Sequence, residues 1–179
     1  MSRDDAPEVA WALQGATNPS VLRLHTMLEL TKRTIVACPP GDPGAPLDLV
    51  LMIPGVRSLD LHRYVARVNL HPHADDAAVR SAITGSLMPA WGRPVDLPEP
   101  EPEARPFQLG EPGPRRVAES LEMAGDDPLL SALLRVHGVA EAIAEGEEVR
   151  VRPGRLFDWE HVAPRVVSAL AEPSDPPTS

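Results

Sequence analysis

The sequence predicts an α+β protein built from two small α+β domains in tandem, each running strands, helix, strands, helix. Three observations predict it. First, the two halves match at an offset of 83 residues: Gly55-Val56 falls on Gly138-Val139, Val68 on Val151, Asp75 on Asp158, Val79 on Val162 and Ile83 on Val166, the pattern expected of an internal duplication. Upstream the offset is 82, with Pro46-Leu47 on Pro128-Leu129. Second, eight prolines lie between Pro89 and Pro114, where missing N–H donors and the restricted residue before each proline disfavour a continuous helix or a central strand. Third, on both sides of that stretch the apolar period alternates between two residues and about 3.6.

These observations divide the chain into an N-terminal segment 1–15, a first domain 16–90, a proline-rich linker 91–114, a second domain 115–171 whose first strand can start near 106, and a disordered tail 172–179. The centre of the linker, Pro98-Glu99-Pro100-Glu101-Pro102-Glu103, reads as a semi-rigid polyproline-like spacer.

In the first domain Leu22, Leu24, Leu28 and Leu30 alternate with polar residues, the period of a strand with one buried face, and Thr34 to Ala37 is placed to pair with it. Pro46 to Ile53 reads as a short, largely buried helix that opens on proline and stops at Pro54-Gly55. Strands follow at Val56 to Leu61 and Tyr64 to Leu70. Asp75 then caps a helix with Val79, Ile83 and Leu87 on one face. In the second domain Asp126 or Asp127 caps a helix Pro128 to Val136, and strands follow near Val139 to Ala144 and Glu148 to Arg152. A final helix carries Trp159, Val162, Val166 and Leu170 as one stripe, with Glu160 near its positive end. Pro164 lacks the N–H that the Glu160 carbonyl would need, so a single turn kinking into a helix from Pro164 is expected. Arg116 to Met123 fits either a strand or a helix.

A formal charge of -9 leaves little for nucleic-acid phosphates or anionic lipid, and 3% aromatic residues supply no stacking platform. The expectation is no nucleic-acid and no membrane partner. The longest apolar run, Leu49 to Ile53, is far short of the roughly 20 residues that span a bilayer, and no targeting segment is visible. One cysteine, Cys38, allows no intramolecular disulfide or C-x-x-C motif, which makes a reducing cytoplasm the expected compartment.

The run Asp127-Pro128-Leu129-Leu130-Ser131-Ala132-Leu133-Leu134-Arg135-Val136-His137-Gly138-Val139, followed by Glu148 to Arg152 and Asp158-Trp159-Glu160-His161-Val162-Ala163-Pro164, resembles the N-terminal domain of Nfu/NifU-type scaffold proteins. The resemblance covers roughly Asp126 to Leu170. More weakly, Thr17-Asn18-Pro19-Ser20-Val21-Leu22 resembles the opening strand of that domain, one residue short, and the first half carries Asp75-Asp76 where the family has Asp-Trp. The resemblance implies a supporting module of iron–sulfur cluster assembly or delivery, not an enzyme, acting by contact with a cluster carrier or an iron–sulfur target protein. Its motif residues here are Asn18, Pro19, Pro128, Leu129, Gly138, Val139, Asp158, Trp159 and Pro164, in structural or partner-binding roles. The family's cluster thiolates belong to a separate C-x-x-C domain, so no cofactor is expected to be held stably by this chain alone, only a transient iron ion or cluster. A homodimer is left open, as is an adaptor role with no part in iron chemistry.

No catalytic residue stands out: Gly85-Ser86 is no nucleophile elbow, and no phosphate-binding glycine loop occurs. The only side chains with metal-ligand character close together are His71, His73 and Asp75, with two imidazoles at i and i+2 on a strand end. Asp75 is already engaged as a cap, so no metal site is expected, and the candidate donors are Cys38, His71 and His73. Cys38, before Pro39-Pro40-Gly41, reads as a half-buried thiol in a loop-facing place.

Overall fold

The computed structural model describes residues 9–172, with helix and strand in similar shares, an α+β protein. The chain divides into two compact units, one comprising residues up to 31 with 35–97, the other residues 32–34 with 98 onward. Residues 1–8 of the expected N-terminal segment, and 173–179 of the expected tail, lie outside the described residues.

The first unit runs β1 (Trp11–Gly15), β2 (Val21–Thr26), α1 (Leu47–Leu51), β3 (Val56–Leu61), β4 (Val65–Leu70) and α2 (Asp76–Trp91). Its strands form an antiparallel sheet in the order β1-β2-β4-β3. Val79, Ile83, Leu87 and Trp91 of α2 are buried with Leu22, Leu24, Leu59 and Val68 in one core. Asp75 caps α2 by accepting from the Ala78 amide at 3.2 Å, as its position before the apolar stripe requires.

Five features differ from the sequence expectation. Trp11–Gly15 is a full edge strand, not part of a leading segment, and Trp11 is wholly buried against Trp91 at 6.4 Å between ring centroids. β2 stops at Thr26, since the Leu30 amide bonds the Arg63 carbonyl instead of continuing a ladder. Ile35 bridges Leu61 of β3 and not β2. Thr17 to Ser20 form the β1–β2 turn, where Asn18 accepts from the Ser20 amide at 2.9 Å, so Asn18 and Pro19 open no strand. Finally, α2 continues through Pro89 to Trp91: Pro89 sits on the exposed face of its last turn.

The second unit runs β5 (Arg105–Ala118), α3 (Leu121–Ala124), α4 (Pro128–Arg135), β6 (Val139–Pro153) and α5 (Trp159–Ala171). The proline-rich stretch is therefore no linker over its second half, because Arg105 to Pro114 belong to β5. The proline rule is obeyed by position. Phe107 faces Val149 and Gln108 faces Glu148 in the ladder, Pro106 lies on an exposed edge that asks for no N–H, and Pro112 and Pro114 fall where the register shifts between Gln108 and Arg116. Arg116 to Met123 divides in two, strand to Ala118 and then a short helix capped by Ser120.

Fifteen extended residues would cover roughly 50 Å, yet the Gly154 amide bonds the Gly138 carbonyl at 2.8 Å, joining the two ends of β6. β6 therefore doubles back, and the turn is at Gly146, whose φ of 61° suits glycine. β5 borders both arms, Arg105 to Gln108 on Glu148 to Val151 and Arg116 to Ala118 on Ala142 to Ala144. Leu130, Leu133, Leu134, Val149, Val151, Val162 and Val166 fill the core between this ribbon and the helices. α5 does not break at Pro164. Pro164 and Glu160 are both on the exposed face, where the Glu160 carbonyl is open to water, so the lost hydrogen bond is cheap.

One hydrogen bond and one strand pairing recur 83 residues apart. His71 N–H bonds Gly55 O at 2.8 Å and Gly154 N–H bonds Gly138 O at 2.8 Å, while the Leu22–Val68 pairing has its counterpart in Arg105–Val151. The units also differ, since β1 has no counterpart in the second and α3 none in the first. Among the described residues no helix is long and apolar enough to cross a membrane.

Candidate functional site

The most developed polar site in the second unit lies after β6. Phe157 N–H bonds Gly154 O at 3.0 Å, closing a tight turn that carries Arg155 inward, and its side chain is 4% exposed. A buried guanidinium must find acceptors. Arg155 Nη1 donates to the Pro98 carbonyl and Nη2 to the Glu99 carboxylate at 3.2 Å, while the buried Nε has no hydrogen-bond partner among the described residues. At the first residue of α5, Trp159 donates its indole N–H to the Glu103 carbonyl at 2.8 Å. Its ring is flanked by the Arg105 guanidinium at 5.0 Å and by Phe107 at 6.0 Å. The segment 98–103 is thus an arm anchored at both ends and bent at Glu99-Pro100, not a free polyproline-like spacer.

Beside it, Asp158 caps α5 by accepting from the His161 amide at 3.1 Å and from the His161 ring at 2.9 Å. The ring hydrogen bond first, then the backbone one, hold its carboxyl below the ordinary carboxylate value. Asp127 caps α4 through the Leu129 and Leu130 amides, both at 3.1 Å, and pairs with Arg116 at 2.6 Å.

The other motif residues serve the fold. Pro128 opens α4, and Leu129 is half-buried beside it. Gly138 has φ 101°, and a Cβ there would stand 2.8 Å from Val162 and 2.9 Å from Phe157, so only glycine fits. Val139 is fully buried, Trp159 is 8% exposed and Pro164 is exposed. Asn18 and Pro19 lie in the first unit's β1–β2 turn.

The candidate metal donors are not assembled. Cys38 is buried at 4%, not half-buried and loop-facing, and its amide bonds the Leu59 carbonyl at 2.8 Å. β4 ends at Leu70, so His71 and His73 occupy an exposed turn and not a strand end, with His73 at φ 66°, and the expected i, i+2 alignment is lost. Among the described residues no three His, Cys, Asp or Glu side chains converge on a metal position. One buried thiol and two exposed imidazoles do not fit an iron–sulfur cluster, which takes mostly thiolate ligands.

Sequence reasoning passed over two buried arginines. In the first unit Arg63, 4% exposed, reaches Glu29 at 3.1 Å and lies 5.1 Å from the Tyr64 ring centre. Arg155 had one legible signal, a charged residue flanked by Gly154 and the apolar pair Leu156-Phe157. An open cleft of about 420 Å³ in the second unit is lined by Arg115, Ile143, Glu145, Glu148 and Arg150. Its guanidiniums are matched by its own carboxylates, at 3.9 Å for Arg115–Glu145 and 3.1 Å for Arg150–Glu148. No family model, no curated protein and no solved structure matches the chain.

Proposed function

We propose that this chain is a non-catalytic module that works by protein–protein contact in a reducing cytoplasm. The observation that carries the reading is α1, which buries one apolar pair and, beside Asp48, leaves a second apolar pair exposed. Leu47 and Val50 are buried, while Leu49 and the C-cap residue Met52, three residues apart and so on one side, are 47% and 78% exposed. Two large apolar side chains left exposed side by side are what a partner protein covers. The net charge of -9 argues for a protein partner over nucleic acid or anionic lipid.

A second reading gives that contact a setting. The resemblance of Asp127 to Pro164 to the N-terminal domain of Nfu/NifU-type proteins supports a supporting part in iron–sulfur cluster assembly or delivery, in which the partner is a cluster carrier or target. The repeated 83-residue geometry supports reading the two units as copies of one ancestral unit.

The test compares the wild-type chain with a Leu49→Glu, Met52→Glu double variant by cross-linking mass spectrometry in extract of the source cells, with circular dichroism as a check on folding. A partner cross-linked to the wild type and lost from the folded variant is expected. A partner retained by the variant would refute the α1 surface, and recovered partners that include no iron–sulfur protein would remove the second reading.

A further inference from the structure

We propose that the Arg155–Trp159 face of the second unit is a binding site for acidic, proline-rich peptide, and that Pro98–Glu103 is its built-in occupant. The proposal rests on this unit alone and is independent of the α1 contact.

Its physical basis is a match between a donor-poor chain and a donor-rich face. Pro98, Pro100 and Pro102 carry no N–H, yet every residue of the arm keeps its carbonyl, so such a segment seeks donors from elsewhere. The face supplies them from side chains. Arg155 gives N–H groups to the Pro98 carbonyl and the Glu99 carboxylate, and Trp159 gives its indole N–H to the Glu103 carbonyl at 2.8 Å. Two of these three bonds go to main-chain carbonyls, so a foreign proline-rich chain can make them equally well. An aromatic ring with a hydrogen-bonding edge is how other proline-rich segments are recognised.

The arm also leaves the site incompletely used. The Arg155 side chain is 4% exposed, its Nε has no partner among the described residues, and the carboxylate facing it, from Glu99, is 76% exposed and so held in water. A guanidinium prefers a carboxylate in a two-bond fork. A peptide free to seat its carboxylate on both Nε and Nη2 gains a bond that the tethered arm does not make. Tethering gives the arm an effective concentration on the order of millimolar, so the site reads as closed until a competing acidic, proline-rich segment displaces the arm.

The experiment titrates a fluorescein-labelled Pro-Glu-Pro-Glu-Pro-Glu peptide, by anisotropy, into the full chain and into a full-chain variant with Pro98→Ser, Glu99→Gly, Pro100→Ser, Glu101→Gly and Pro102→Ser. The variant is expected to bind at least about tenfold more tightly than the wild type. The same peptide with Gln for Glu should bind the variant about tenfold more weakly than the acidic one. Arg155→Met in the variant background should remove the difference between the two peptides; if that protein does not fold, the peptide comparison alone decides. Glu99→Gln, a change at one exposed side chain, should move wild-type affinity in the same direction by a smaller factor, which keeps the test open should the multiple variant misfold. Equal affinity for wild type and folded variant, no saturable binding by the folded variant, or equal binding of the Glu and Gln peptides would overturn the proposal.

Discussion

Trp159 donates its indole N–H to the Glu103 carbonyl at 2.8 Å, tying the start of α5 to the chain just before β5. In the first unit the carbonyl 83 positions before Glu103, that of Ser20, accepts from the Leu70 amide at 2.8 Å. The residue 83 positions after Leu70 is Pro153, which has no N–H to give. The donor to Glu103 is a side chain.

Trp159→Phe should therefore keep the ring packing and lose the bond, costing about 1 kcal/mol. Trp159→Ala should cost roughly 3 to 5 kcal/mol by opening a cavity. Glu101→Ala, on an exposed residue of the arm, should stay within about 0.5 kcal/mol. Urea denaturation followed through the second unit ranks the three, and equal midpoints would contradict the placement of the indole.

The glycines separate three ways. Gly138→Ala meets both a left-handed φ and side chains at 2.8 and 2.9 Å, and should cost on the order of 3 kcal/mol. Gly146→Ala has the left-handed φ of 61° with open space around it, and should cost about 1 kcal/mol. Gly85, inside α2 with nothing near, should stabilise the protein by about 0.5 to 1 kcal/mol when changed to Ala. Thermal melting of the three variants checks the order.

Much of this was legible because it is local. A cap needs only an Asp before an apolar stripe, and Asp75, Asp127 and Asp158 all accept the bonds so expected. What escaped depends on neighbours distant in sequence. The proline rule forbids a central strand, but whether Pro106 meets a partner or an open edge is decided by β6, some forty residues on. The alternation at Leu28 and Leu30 continues past the end of β2, because ladder pairing and not hydrophobic period ends a strand. Pro164 reads as a break in the sequence because only the fold places it on the exposed side of α5. The Arg155 site needs residues 98–99 and 155 brought together, which no local pattern records.

Asp158 gives a pH-dependent prediction. Its carboxyl is held below its ordinary value chiefly by the His161 ring hydrogen bond, so its contribution is present above the unfolded-state value and is lost as pH falls through the lower folded-state one. Carboxyl NMR should show the Asp158 midpoint moving up toward the ordinary range in His161→Ala. An unchanged midpoint would contradict the assigned cause.

Asp127 should be the costliest cap. It satisfies two amides and also pairs with Arg116 at 2.6 Å, so Asp127→Ala should cost about 2 kcal/mol, against about 1 kcal/mol for Asp75→Ala, which loses one amide bond. Chemical denaturation of both variants measures the difference.

The claim that this chain acts by contact and not by holding a cluster is tested most directly by anaerobic reconstitution with iron and sulfide, followed by visible absorption and iron counting. With its one thiol at Cys38 buried at 4%, and His71 and His73 in an exposed turn, the expected result is no stoichiometric chromophore and the same trace from Cys38→Ser as from the wild type. A stoichiometric, Cys38-dependent chromophore would contradict it and make the chain a dimeric carrier.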